Sequence, residues 1–406
     1  MFNTILKVAY KSIFLRKGRA ILLVLMIGVS MGVMVSLEGL YDGMSQRMID
    51  KTMRSDSGEI SLYAKQYRLE KDIVYRIKDA DKVCETLEKM PNVKFALYRM
   101  KAEGLAQTAT KSRPASIIGI DLEDEKSFGK FGEFLQKGKL ELGENDALIG
   151  SELAKNLKVK IGSKVIFSTQ DSHNEIQSTA FRIRGIVRTS NVSLDNDVLF
   201  TARKKAASIL AVSPQSATQI ALRSKTEAVL VLKKEIVDAF PVLDVKTFKE
   251  LYPQLKQMQA MMSVFNSITF FIVMIVVFIG ILGVMYVNIL DRIREFGILL
   301  SIGYAYKYIR LQIILESLFL GFSGYILGMI IGLSLLNYLR VYGLDLEMFA
   351  DGMESFGMDP IIYATIKSSY FVSTLVAILV ASVMSVFLPL RKIKQLNPVE
   401  VIRSLG

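Results

Sequence analysis

Val264–Leu290 reads VFNSITFFIVMIVVFIGILGVMYVNIL, a run with no charged side chain and with β-branched or aromatic residues at most of its positions. A hydrocarbon layer about 30 Å thick is crossed by a helix of about 20 apolar residues, so this run is long enough to span it. Ala20–Leu40, Leu311–Leu339 and Tyr370–Leu390 have the same character, whereas everything between Leu40 and Val264 has the texture of a water-soluble domain. The overall composition agrees: 51% of the 406 residues are hydrophobic and 22% are charged. That is too apolar for an ordinary soluble chain and too charged for a bare helical bundle. The fold class expected is an α-helical membrane protein of four transmembrane helices, with a large α+β extracytoplasmic domain between the first and second.

Orientation follows from the charges flanking the spans. The N-terminal flank carries Lys7, Lys11, Arg16, Lys17 and Arg19 with no acid. Between the second and third blocks stand Arg292, Arg294, Lys307 and Arg310 against Asp291 and Glu295. The C-terminal tail has Arg391, Lys392, Lys394 and Arg403 against Glu400. Between the third and fourth blocks the balance reverses, with Asp345, Glu347, Asp351, Glu354 and Asp359 outnumbering Arg340 and Lys367. Both termini are therefore expected in the cytoplasm of a multi-pass inner-membrane protein. The net charge of +12 is largely a consequence of topology, and no basic stripe with stacking aromatics points to nucleic acid. The first block continues past Leu37 without a small-x-small cleavage site, so it reads as a retained anchor rather than a signal peptide.

The organisation expected is a cytoplasmic amphipathic helix over 1–19 and spans over 20–40, 263–290, 309–339 and 370–390. An extracytoplasmic α+β domain with stalk helices occupies 41–262, a cytoplasmic coupling helix 291–308, a short outer loop 340–369 and a cytoplasmic tail 391–406. In the large domain, Gly58–Tyr63, Ser116–Ile120, Lys164–Ser168, Phe181–Val187 and Gln219–Leu222 read as strands. Lys78–Lys89, Ser151–Leu157, Lys204–Leu210 and Thr226–Ala239 read as helices. Gly39–Met53 and Thr247–Met262 are polar but helix-prone, which would carry the first two spans outward as a stalk.

Catalytic signatures are weak. Gly132–Lys139 resembles a phosphate loop superficially, but Leu140 stands where a magnesium-binding hydroxyl is needed, and the segment reads as a turn. His173 is the only histidine and falls at a hairpin tip, so a metal site or relay lacks a second member. Cys84 is the only cysteine and forms no internal disulfide. No nucleophile elbow and no paired-histidine metalloprotease motif appears. The chain is expected to catalyse nothing itself and to bind no metal or cofactor.

Charge within the apolar blocks is confined to Glu38 and Glu316. Glu38 is expected to reach water at the outer end of its span, and Glu316 to snorkel or to pair with Arg310 or a basic residue of another helix. Gly28 with Gly32, and Gly324, Gly328 and Gly332, repeat at the four-residue spacing that lets helices approach closely, either within the chain or across a dimer seam. Met26, Met31, Met34, Met258, Met261 and Met262 offer flexible apolar surface for a lipid-accessible cargo pocket, or plain packing.

The most informative segment is Asp291–Gly303, DRIREFGILLSIG. As a helix it gathers Phe296, Leu299, Leu300 and Ile302 on one broad side, apart from Arg292, Arg294 and Glu295, which suits an amphipathic helix at a membrane surface. The RxREFGILLSIG string from Arg292 to Gly303, followed by Gln312, Glu316 and a glycine-rich span, resembles the ABC transporter permeases of the lipoprotein-releasing (LolC/LolE), MacB and FtsX superfamily. Ala9–Arg19, Leu148–Ala154, Leu157–Gly162, Pro389–Ile393 and Asn397–Arg403 are similar to other parts of that family.

The resemblance implies two permease chains, identical or related, working with two cytoplasmic ATPase subunits that hold the ATP and Mg. It implies mechanical transmission to the outer domain, with a lipoprotein or other hydrophobic cargo; the alternatives are MacB-like peptide or drug export and FtsX-like signalling to a periplasmic hydrolase. It places ATPase coupling on Arg292, Arg294, Glu295, Phe296, Gly297, Leu299, Ile302, Gly303 and Tyr304. Membrane lipid is the remaining partner.

Overall fold

The computed structural model describes residues 2–15, 17–189, 191–226, 228–355 and 358–394. The tail segment Asn397–Arg403 lies outside the described residues. The chain divides into two compact units, one of residues 1–44, 259–346 and 361–406, the other of residues 45–258 and 347–360.

Among the described residues, four helices are long and apolar enough to cross a membrane. The first runs over Lys17–Thr52, the second over Pro253–Asp291 and the third over Tyr306–Val341. The fourth, Ser368–Ser385, is followed by a short helix over Phe387–Lys394. The first two extend well past their apolar blocks because the flanking polar stretches contain good helix formers and no helix-breaking proline beyond Pro253. Pro253 itself opens the second helix, where its missing N–H costs nothing.

In the membrane unit the first and third helices meet along their glycines. A Cβ on Gly32 would stand 2.6 Å from Cγ2 of Ile331, and one on Gly328 would stand 2.7 Å from Sδ of Met31. Gly28 faces Leu327, Gly324 faces Ile27, and Gly332 lies against Gly32 and Val35. Both small-residue stripes are thus consumed by one seam within the chain. Gly32→Leu is expected to cost about 1–3 kcal/mol by overpacking, read as a lower thermal midpoint in detergent. Gly18→Leu is the control, because a Cβ there would meet nothing within 4 Å.

The amino-terminal helix, Phe2–Leu15, buries Ile5 and Ala9. Tyr10 sets its ring edge-on to Phe319 of the third helix at 6.1 Å. The third and fourth helices are joined by the Ser317 hydroxyl donating to the Ser382 carbonyl at 2.8 Å.

The external unit is built on a ten-stranded mixed sheet. Its strands are β1 (Ile60–Ala64), β2 (Val93–Gln107), β3 (Ser112–Ile120), β4 (Leu135–Gly138), β5 (Asp146–Gly150), β6 (Lys164–Gln170), β7 (Ile176–Val187), β8 (Val198–Ala202), β9 (Gln219–Ser224) and β10 (Leu243–Thr247). They follow the order β10-β1-β9-β2-β3-β8-β5-β7-β4, with β6 bridging β2 and β7.

β2 belongs to two layers. Residues 93–99 pair with β9, and residues 100–107 pair with β3, the last four of these also with β6. One core lies beneath the first part, where Ile60, Leu62, Ile220 and Leu222 meet Leu87 of helix Ala80–Glu88 and Leu232 and Ile236 of helix Val229–Ala239. The other lies beneath the second, around Ile117, Ile149, Phe167, Phe181 and Leu199.

Two expectations are corrected here. Gly132–Lys139 is not a simple turn: a 3₁₀ turn over Phe131–Phe134 leads into β4, an edge strand paired with β7. The loop over 340–369 is structured, with a strand pair Leu344–Asp345 and Ile361–Ile362 and a helix Ala350–Ser355. Its central part belongs to the external unit, where Lys51 Nζ meets Asp359 at 2.6 Å.

Candidate functional site

The segment after the second span folds as a nine-residue helix, Ile293–Ser301. It stops where Gly303 takes φ +87°. The Gly303 N–H donates to the Leu300 carbonyl at 3.1 Å and the Tyr304 N–H to that of Leu299 at 2.9 Å. This is a Schellman ending, which a Cβ at position 303 would strain.

Phe296 is fully buried and Gly297 is buried, while Leu299, Leu300 and Tyr304 are half-buried. Arg294, Glu295, Ile298, Ile302 and Gly303 are exposed. Ile302 departs from the expected apolar side: the helix ends before it, and the turn leaves it 74% exposed.

Arg292 organises the inner side. Its Nη1 donates to both Glu316 oxygens at 2.9 and 3.1 Å, its Nε to Glu295 at 3.1 Å, and its guanidinium carbon lies 4.9 Å from the centre of the Phe296 ring. Gln312 Nε2 donates to Glu316 at 2.9 Å. Burial works against the Arg292 charge, but the Glu316 carboxylate and then Glu295 more than offset it, holding the pKa above its ordinary value. Glu316 therefore pairs with Arg292 rather than with Arg310. Nearby, Arg19 meets Asp291 at 2.6 Å.

The methionines do not form one surface. Met31 and Met34 are buried, Met31 against Gly328, and Met26 lies over Gly280 of the second helix. Met258 and Met262 are half-buried, and Met261 is 55% exposed. Glu38 is half-buried, and one of its carboxylate oxygens is buried without a hydrogen-bond partner among the described residues.

In the external unit, His173 sits at the β6–β7 tip and its backbone N–H donates to Asp171 at 2.8 Å. The Cys84 thiol is buried, and burial pushes it up to about 12. Among the described residues no group of His, Cys, Asp and Glu could hold a metal ion.

Sequence reasoning did not find a cluster at the point where the chain leaves the first helix. Arg99 and Glu125, each 1% exposed, form a two-bonded ion pair at 2.5 and 2.6 Å. Asp56, just beyond the first helix, accepts from Lys101 and from the hydroxyl of Tyr252, the residue before the second. These partners are scattered from 56 to 252, and no local spacing announces them.

Four helices long and apolar enough to cross a membrane, a sheet-rich domain inserted in the chain between the first and second, and a short anchored helix between the second and third define a transporter-type permease. Residues 20–236 match the MacB-like periplasmic core domain and residues 267–398 the FtsX-like permease C-terminal domain. The chain belongs to the MacB/LolC/LolE/FtsX family of ABC transporter permeases.

It is 27% identical to the lipoprotein-releasing system transmembrane protein LolC of Buchnera aphidicola subsp. Schizaphis graminum, over 65% of this chain and 69% of that protein. An uncharacterised ABC transporter permease of Methanocaldococcus jannaschii is 23% identical over 99% of this chain and 98% of its own length. The macrolide export ATP-binding/permease protein MacB of Campylobacter jejuni is 22% identical over 98% of this chain, which spans 60% of that protein.

Proposed function

We propose that this chain is the membrane subunit of an ABC transporter that releases lipoproteins, or a related lipidated cargo, from the inner membrane. In this reading both termini are cytoplasmic, and ATP and Mg are bound by a separate ATPase. Two ATPase copies serve two permease chains, identical or related.

The observation that carries the reading is the helix Ile293–Ser301, pinned on one side by Phe296 and the Arg292–Glu316 pair and open on the other at Arg294, Glu295, Ile298 and Ile302. A rigidly held helix with an exposed mixed face suits a partner groove. Helices unbroken over Lys17–Thr52 and Pro253–Asp291 suit the carriage of motion outward without a pore. The lipoprotein assignment is supported by the likeness to a lipoprotein-releasing protein. A second reading, export of a peptide or drug, is favoured by alignments that run over 98% and 93% of the chain to macrolide exporters.

Detergent extraction followed by mass spectrometry of bound species separates the readings. Acylated proteins are expected; a periplasmic adaptor in their place would favour export, and a cell-wall hydrolase would favour FtsX-like signalling. Glu295→Lys tests the docking face. It places a like charge where a complementary one is expected, so partner-stimulated ATPase activity should fall at least about tenfold with membrane insertion unchanged. Undiminished stimulation would remove Glu295 from the contact.

A further inference from the structure

We propose that a cavity of about 410 Å³ in the external unit, walled by Tyr63, Tyr67, Tyr252 and Asp197, binds a cationic amine or guanidinium. Its size lies within the range of small-ligand sites.

The charges around it decide the sign of the ligand. Lys101 is paired with Asp56, Lys71 with Glu103, and Arg68 reaches Asp244 at 3.7 Å while its guanidinium lies 5.9 Å from the Tyr63 ring centre. Asp197 is the exception: half-buried, it has one polar partner among the described residues, the Ser116 hydroxyl at 3.3 Å. An anion would have to draw Lys71, Lys101 or Arg68 from its acid and leave a carboxylate uncompensated. A cation completes Asp197 and disturbs no existing pair. Burial raises the Asp197 pKa, partly offset by Ser116 and Lys101, as expected of a carboxylate short of partners.

The aromatic wall fits the same ligand. The Tyr63 and Tyr67 rings lie nearly parallel, 8° apart with centres 6.2 Å apart, and both are buried. Tyr63 already has the Arg68 guanidinium beside its ring, and aromatic rings that line a cavity attract a partly desolvated cation. Asp56 does not supply the attraction, since Lys101 and Tyr252 already occupy its oxygens. The cation could come from a free polyamine or from a lysine or arginine side chain of a peptide, the same chemistry from two sources.

The test titrates the full chain in detergent, by calorimetry, with spermidine and separately with the amidated peptide Gly-Lys-Gly. Saturable binding of one ligand per chain is expected for at least one probe, and which probe binds identifies the source. Asp197→Asn should weaken that binding at least about tenfold, Asp197→Glu should retain it within a few fold, and the acetylated, uncharged form of the same probe should not bind. Protection of Cys84 from a thiol reagent verifies that each variant is folded. Absence of saturable binding by both probes, equal binding to folded Asp197→Asn, or equal binding of the acetylated probe would overturn the proposal.

Discussion

Glu125→Ala is expected to destabilise the external unit by about 3–5 kcal/mol, a large part of the roughly 5–15 kcal/mol that holds an ordinary domain together. Arg99 and Glu125 are each 1% exposed, and the guanidinium meets the carboxylate through two parallel bonds. Burial works against the Arg99 charge, but the Glu125 carboxylate more than offsets it and holds the pKa above its ordinary value. Without Glu125 the cation stays where water cannot reach it, bonded to the Asp56 backbone carbonyl and with the Asp56 carboxylate as its nearest compensating charge at 3.9 Å.

The single cysteine supplies the measurement. Cys84 is buried in helix Ala80–Glu88, so denaturant-dependent labelling of its thiol reports opening of this unit without interference from the membrane helices. The labelling midpoint should fall clearly in Glu125→Ala, and less in Arg99→Met/Glu125→Leu, because removing both charges leaves neither stranded. A single variant that opens within about 1 kcal/mol of the parent would mean that water reaches Arg99.

The contrast between that pair and the spans shows what a sequence makes legible. The four apolar blocks are local, so length and charge placed them, and the helices differ from the expectation chiefly by running on into polar flanks. Helix Ser151–Leu157 and parts of β1, β3, β6, β7 and β9 were also legible from composition over a few residues. β2 was not. Its burial follows no clean alternation, because it crosses from one layer to another and carries Arg99 inward and Lys94 outward. The helix holding Glu125, Leu122–Gly129, was missed for a related reason: only Phe128 among its side chains is a large buried hydrophobe, and its main anchor is a charge.

At the candidate site the RxREFG string located the helix, but not its architecture. Arg292 read as part of the polar side of the helix beside Arg294, and Glu316 as an acid that would snorkel or pair with Arg310 or a basic residue of another helix. Their pairing depends on the chain reversing between Ile302 and Ala305, a turn marked in the sequence by Gly303 alone.

That pairing makes Arg292→Ala the more severe of the substitutions around the helix. Glu316 is 6% exposed and would keep the neutral Gln312 amide as a hydrogen-bond donor, leaving a carboxylate uncompensated at a cost of about 3–5 kcal/mol. The Phe296 ring would lose the guanidinium that covers it. Both a lower thermal midpoint in detergent and loss of partner-stimulated ATPase activity are expected, whereas Glu295→Lys should affect chiefly the second: it removes the Arg292 Nε contact, but at a side chain 64% exposed, and leaves the Arg292–Glu316 pair in place. Arg292→Lys should recover part of the midpoint, because an ammonium can meet Glu316 but cannot reproduce the fork that also reaches Glu295. Adding Glu316→Gln to Arg292→Ala removes the stranded charge and should restore stability further than it restores coupling. If the double variant recovered both fully, the pair would be only a neutralised charge; if stability returned and coupling did not, the guanidinium itself would be what holds the helix in its working position.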